Sequence, residues 1–159
     1  MGAWINLEDH RQVRSPLTKE MLAPLQGGIN RVQFDEALAD KDYPKLAALL
    51  SRHPKVALRV YGDYSHTIGD LEFLRYFPKL RRFSFDLWDL SRFEGLRHLS
   101  DDMELLSLGQ TKTKAFSLRF LERFSGLREL AVERQARDLD VLAGLVPCKC
   151  DTRISMIAS

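Results

Sequence analysis

The stretch Ser117–Gln135, SLRFLERFSGLRELAVERQ, carries apolar residues at Leu118, Leu121, Phe124, Leu127, Leu130 and Val132. The first four steps are three residues each and the last is two. A step of three suits a tight helical turn, and a step of two suits a strand. The stretch therefore reads as a short helix feeding a strand, with both apolar faces turned to the same side.

The design recurs. Apolar pairs two residues apart stand at Val32/Phe34, Leu58/Val60, Phe83/Phe85, Leu106/Leu108, Leu130/Val132 and Ile154/Met156. Between the second members the steps are 26 (34→60), 25 (60→85), 23 (85→108), 24 (108→132) and 24 (132→156). Three-residue spacing precedes the later pairs as Leu71-x-x-Leu74-x-x-Phe77-x-x-Leu80, Leu90-x-x-Phe93-x-x-Leu96-x-x-Leu99 and Leu139-x-x-Leu142-x-x-Leu145. Long and short units alternate, with Ser100–Asp102 as an extra turn in one long unit. A fixed period of this kind is the mark of stacked repeats.

The block L-x-x-L-x-L occurs as Leu80-x-x-Phe83-x-Phe85, Met103-x-x-Leu106-x-Leu108 and Leu127-x-x-Leu130-x-Val132. On these residues the chain resembles the leucine-rich repeat family in its irregular, bacterial-type form, over roughly residues 29–145, with a period inside that family's range of about 20–29. The resemblance implies an α/β fold, a right-handed solenoid with a parallel β-sheet on the concave face and short helices or turns on the convex face. It implies an N-terminal cap over 1–28 and repeats over 29–159, about five units plus a degenerate last one. One departure stands out. The family usually has Asn or Cys three residues after the last strand leucine, where it bonds neighbouring turns. Here those positions are Ala37, Asp63, Trp88, Thr111 and Gln135, so coil-to-coil regularity is expected to be poorer. The plainer alternative is an ordinary α/β domain with evenly spaced strands.

In the cap, Trp4, Ile5 and Leu7 are expected to form a leading strand. Ser15-Pro16 reads as a helix start, with Leu17, Met21, Leu22 and Leu25 as its apolar face, Pro24 as a kink and Gly27-Gly28 as its end. Asp42-Tyr43-Pro44 opens a helix over Tyr43–Arg52 that turns Leu46, Leu49 and Leu50 inward and stops at His53-Pro54.

The chain of 159 residues is long enough for one domain with a core. At 45% hydrophobic, 29% charged and a net charge of +2, it carries no field that would recruit nucleic acid or an anionic membrane. Its apolar runs are too short for a membrane span, and its first residues show no secretory pattern. Cys148 and Cys150 form C-x-C, too tight for an easy disulfide and too few for a zinc site. A reduced, cytoplasmic protein is expected. His10, His53, His66 and His98 show neither metal spacing nor an adjacent nucleophile, and Asp101-Asp102 reads as the cap of a turn. The expectation is no enzyme, no metal and no cofactor.

Alternate residues of a strand point to opposite faces, so the neighbours of the inward pairs form three columns on the concave face. They are Arg31, Ala57, Arg82, Leu105, Glu129, Arg153; Gln33, Arg59, Ser84, Ser107, Ala131, Ser155; and Asp35, Tyr61, Asp86, Gly109, Glu133, Ile157. Arg59, Tyr61, Arg82, Asp86 and Trp88 fall in one patch, with Glu129 and Glu133 beyond it. Arginine and aromatic residues are common interface anchors, so the expected function is non-enzymatic binding of a protein or peptide partner there. A solvated sheet face with weak cross-strand charge pairs is the plainer reading of the same residues. An alternative function is the targeting or recognition portion of a larger enzyme or effector. Residues 139–159 are expected to support homo-oligomerisation through an open strand edge.

Overall fold

The structure, a computed structural model, describes residues 9–62, 64–109, 111–112, 117–133, 137–145 and 153–157. Seven strands follow one another: β1 (His10–Gln12), β2 (Arg31–Phe34), β3 (Ala57–Tyr61), β4 (Arg82–Asp86), β5 (Leu105–Leu108), β6 (Glu129–Glu133) and β7 (Arg153–Ile157). They form one sheet in chain order, every neighbouring pair parallel. The connections carry helix α1 (Tyr43–Ser51), three 3-10 segments, η1 (Glu72–Tyr76), η2 (Glu94–His98) and η3 (Arg119–Arg123), and a short helix α2 (Asp140–Leu145). The architecture is α/β, with an all-parallel sheet and few helices.

The expected register holds from the second strand to the seventh. Phe34, Val60, Phe85, Leu108, Val132 and Met156 are successive partners along one row. Val32, Leu58, Phe83, Leu106, Leu130 and Ile154 form the row beside it. From Val32 to Leu130 these side chains are buried, because period-two alternation sends both rows to the face covered by the helical segments.

The three-residue spacing has a direct backbone meaning. In η1 and its flanks, the N–H of Leu74 donates to the carbonyl of Leu71, Phe77 to Leu74 and Leu80 to Phe77, at 2.9–3.1 Å. The same ladder runs Phe93–Leu96–Leu99 and Leu118–Leu121–Phe124–Leu127. A 3-10 turn has three residues per turn, so side chains at i and i+3 eclipse on one side. The apolar residues are therefore also the hydrogen-bonded ones, and all face the sheet.

At the N-terminal end the structure departs from expectation. Trp4, Ile5 and Leu7 lie outside the described residues, and the leading strand is β1, where Arg11 stands opposite Val32 and Val13 is buried. An arginine in an apolar row is tolerated because its guanidinium turns back to donate to the carbonyls of Met21 and Ala23. Residues 15–28 form turns and no helix, although Leu17 and Met21 still pack on the core and Leu25 is buried. The expected cap serine is committed elsewhere. Ser15 Oγ donates to Asp42 Oδ2 at 2.8 Å and accepts from the N–H of Ala39 at 2.8 Å.

Helix α1 ends one residue before its expected limit and buries Leu46, Leu49 and Leu50. Asp42 makes no side-chain cap to its own helix. Its buried carboxylate instead accepts from Ser15, Leu17 and Lys45, and the Lys45 ammonium holds its pKa below the usual value. Tyr43 stacks between Phe73 and Tyr76, with ring centroids 5.5 and 5.4 Å away. Burial pushes the Tyr43 phenol up to about 12. Of the expected Leu139 series, Leu142 and Leu145 pack on the core, partly buried, while Leu139 stands exposed and Val141 is buried beside them.

Side chains on the connections tie one unit to the next. Asp70 pairs with Arg92 at 2.9 Å, and Glu72 with Arg97 and His98 at 3.1 and 3.0 Å. Arg123 donates to the carbonyls of Leu96, Arg97 and Leu99, satisfying the end of η2. Among the described residues no helix is long and apolar enough to cross a membrane.

Candidate functional site

The face of the sheet opposite the helical segments carries the first two expected columns and, from the third, Tyr61, Asp86 and Glu133, extended by β1. His10 stands opposite Arg31, and Gln12 opposite Gln33. Gln33 is opposite Arg59, Arg59 opposite Ser84, and Tyr61 opposite Asp86. Arg82, Leu105, Glu129 and Arg153 follow one another across β4 to β7. This face is not uniformly open: Arg31, Gln33, Leu105 and Ala131 are buried on it.

Arg59, Tyr61 and Asp86 are brought together. Arg59 Nε and Nη2 both donate to Asp86 Oδ2, at 2.8 and 2.6 Å. The guanidinium carbon lies 4.7 Å from the centre of the Tyr61 ring, a cation–π arrangement. Behind them runs a chain of amides that sequence reading did not single out. Tyr61 Oη and Gln33 Nε2 each donate to Gln12 Oε1 at 3.0 Å, and Gln12 Nε2 donates to Asp35 at 2.9 Å. Gln12 was missed because the leading strand was expected at Trp4–Leu7. His10-Arg11-Gln12 is polar throughout and carries no alternation that would have marked it as a strand. With its hydrogen bonds filled, the network fixes the Arg59 head without a ligand.

Arg82 belongs to a second cluster. Its Nε is 3.8 Å from Glu104 and its Nη2 is 4.0 Å from Glu129, beyond hydrogen-bonding distance. Glu104 is also held by Arg81 at 3.1 Å. Glu133 lies at the end of β6, half-buried and opposite Ile157. Trp88 is on the turn after β4, 53% exposed, and its carbonyl accepts from the N–H of Lys112 at 2.8 Å. Beside it, Asp89 is gripped by Lys112 and by His66 Nδ1 at 2.6 Å. The Lys112 ammonium holds the Asp89 carboxyl below its ordinary range. Tyr64 and Trp88 are exposed large apolar residues on these turns.

The first column holds a different kind of feature. Among the described residues, the buried side-chain nitrogen and oxygen atoms with no hydrogen-bond partner are His10 Nδ1, Arg31 Nε, Arg31 Nη2 and Arg82 Nε. All lie in that column. Arg31 is 5% exposed. Burial lowers the pKa of its guanidinium, and the charge of Arg59 adds to the effect. Buried charges ordinarily have partners, because desolvation is costly without them.

The other expected chemistry is placed as follows. Among the described residues no group of three or more His, Cys, Asp or Glu could hold a metal ion. Cys148, Cys150, Asp63 and Gln135 lie outside the described residues. His53 Nε2 accepts from the N–H of Leu25 at 3.3 Å. The turn at Asp101-Asp102 is capped by Ser100, whose Oγ accepts from the N–H of Asp102 at 3.2 Å, while Asp101 pairs with Arg123 at 3.5 Å. Set against known proteins, the chain matches no protein-family model, no curated protein and no solved structure.

Proposed function

We propose that this chain is a non-enzymatic interaction module of leucine-rich-repeat type. In this reading it is a right-handed solenoid whose concave sheet face binds a protein or peptide partner in the cytoplasm. The in-register rows with a period near two dozen support the repeat assignment, and parallel crossovers are right-handed in about 98% of cases. Helical segments cover one face of the sheet, so a partner is left the other.

The observation that carries the proposal is Arg59, clamped by Asp86 and laid over Tyr61. A fixed arginine beside an aromatic ring loses little freedom on binding, which favours its use as an anchor. The test is a partner screen followed by a combined Arg59→Ala, Tyr61→Ala, Arg82→Ala variant. Loss of the interaction by the folded variant supports this face. An interaction that survives all three changes excludes it.

A further inference from the structure

We propose that the row His10–Arg31–Ala57–Arg82 is an oxyanion site for the carboxylates of an acidic peptide segment, with Arg31 Nε–H and Nη2–H donating side-on to one of them. This rests on the peptide-binding reading above and specifies the ligand's chemistry. Nε and Nη2 form one edge of the guanidinium, the edge that presents two parallel N–H groups to a carboxylate. In Arg59 that same edge is taken by Asp86. In Arg31 both of its atoms are buried and unpartnered. His10 Nδ1 on the paired residue of β1, and Arg82 Nε two strands further on, are likewise buried and without a hydrogen bond, the latter with the Glu104 carboxylate 3.8 Å away. The neighbouring row, by contrast, has Gln12, Gln33 and Arg59 hydrogen-bonded to one another. Among the described residues, the buried side-chain atoms without a hydrogen bond are thus confined to one line across four strands.

Ala57 stands between the two arginines in the row and contributes only a methyl group there. Strands are about 4.8 Å apart, so Arg31 and Arg82 are separated by roughly 10 Å. Three residues of polyproline-II chain cover about 9 Å, which matches two acidic residues spaced Glu-x-x-Glu. His10 and Arg82, on either side of the covered Arg31, are half-buried. A peptide is favoured over a nucleic acid by the charges alongside. Glu104 and Glu129 lie within 4.0 Å of Arg82, and Asp86 sits on Arg59. A continuous run of phosphates would meet these carboxylates at every step, whereas a peptide carries its acidic side chains only at intervals.

The test pans a random peptide library on the full chain, then measures the selected peptides by fluorescence anisotropy. Expected are peptides enriched in Asp and Glu, weakened tenfold or more by Arg31→Lys, which keeps the charge and loses the edge. Arg31→Met should abolish binding while the melting temperature stays level or rises, since it removes an unpaired buried cation. In the unaltered protein the Nε–Hε NMR signal of Arg31 should shift on adding the peptide. Selected peptides without acidic residues would overturn this proposal and leave the concave-face reading standing. A library from which nothing is enriched would overturn both. Equal affinity for Arg31→Lys, an unmoved Arg31 signal, or displacement by inorganic phosphate or an oligonucleotide as readily as by the peptide would each overturn the carboxylate assignment.

Discussion

Gly95 in η2 lies directly against the carbonyl of Leu71, at the start of η1, so closely that a Cβ would overlap it and stand 2.7 Å from the N–H nitrogen of Glu72. The two 3-10 segments approach to backbone contact only because this residue has no side chain. Gly95→Ala must push η1 and η2 apart and is expected to cost about 1–3 kcal/mol. Urea denaturation measures it, with Gly27→Ala as control, since a Cβ at Gly27 meets nothing within 4 Å.

Leu130 is fully buried in the inner row of β6. Leu130→Ala should cost about 2–5 kcal/mol, from lost transfer and the cavity left behind. Lys112 is exposed and pairs only at the surface with Asp89. Lys112→Ala should change stability by no more than about 0.5 kcal/mol. The midpoints of chemical denaturation separate the two.

The Arg59–Asp86 pair is mostly shielded on the arginine side and partly open on the aspartate side. A double-mutant cycle with Arg59→Ala and Asp86→Ala should give a coupling of about 1 kcal/mol. A coupling near zero would mean that Arg59 is not held by Asp86 in solution, which would remove the main support for its use as an anchor.

Acid should loosen the ties between units. The Glu72 pKa is lowered, chiefly by the hydrogen bond from His98, from an ordinary value of 4.5. The Asp89 pKa is lowered, chiefly by Lys112, from 3.8. A carboxyl whose folded pKa lies below its unfolded one adds stability above the unfolded value and loses it as pH falls through the folded value. The stability gap between the natural chain and Glu72→Gln should therefore close as pH drops below 4.5. Denaturation series across that range check it, and a gap that ignores pH would show that the His98 contact contributes nothing.

Strand β7 pairs with β6 and, among the described residues, with nothing on its other side. Unpaired N–H and C=O groups along a strand edge are a template for a second chain. Light scattering is expected to give a mass above one chain that rises with concentration. A mass of one chain at all concentrations would exclude self-association through residues 139–159.

Much of the sheet was legible from spacing. The step of two placed β2 to β7, and the step of three located the 3-10 segments, because both periods are properties of the backbone itself. The strand columns followed from the same alternation and needed no knowledge of what each side chain touches. At the start of the sheet this failed. β1 presents Arg11 to the core row, so apolar alternation gave no sign of it, and the helix expected after Ser15 is a set of turns because Ser15 is bonded to Asp42 and Ala39.

What this sequence determined alone was the order and register of β2 to β7, since apolar residues recurring every two dozen positions can be buried together only if consecutive strands lie side by side. What the tertiary structure decided was the state of each polar group on the opposite face. Arg31 and Arg59 are the same residue type one strand apart, yet Arg59 finds Asp86 and Arg31 finds no partner for its outer edge. That difference depends on side-chain orientations and on neighbours more than twenty residues away along the chain, and a local pattern of residues carries no record of either.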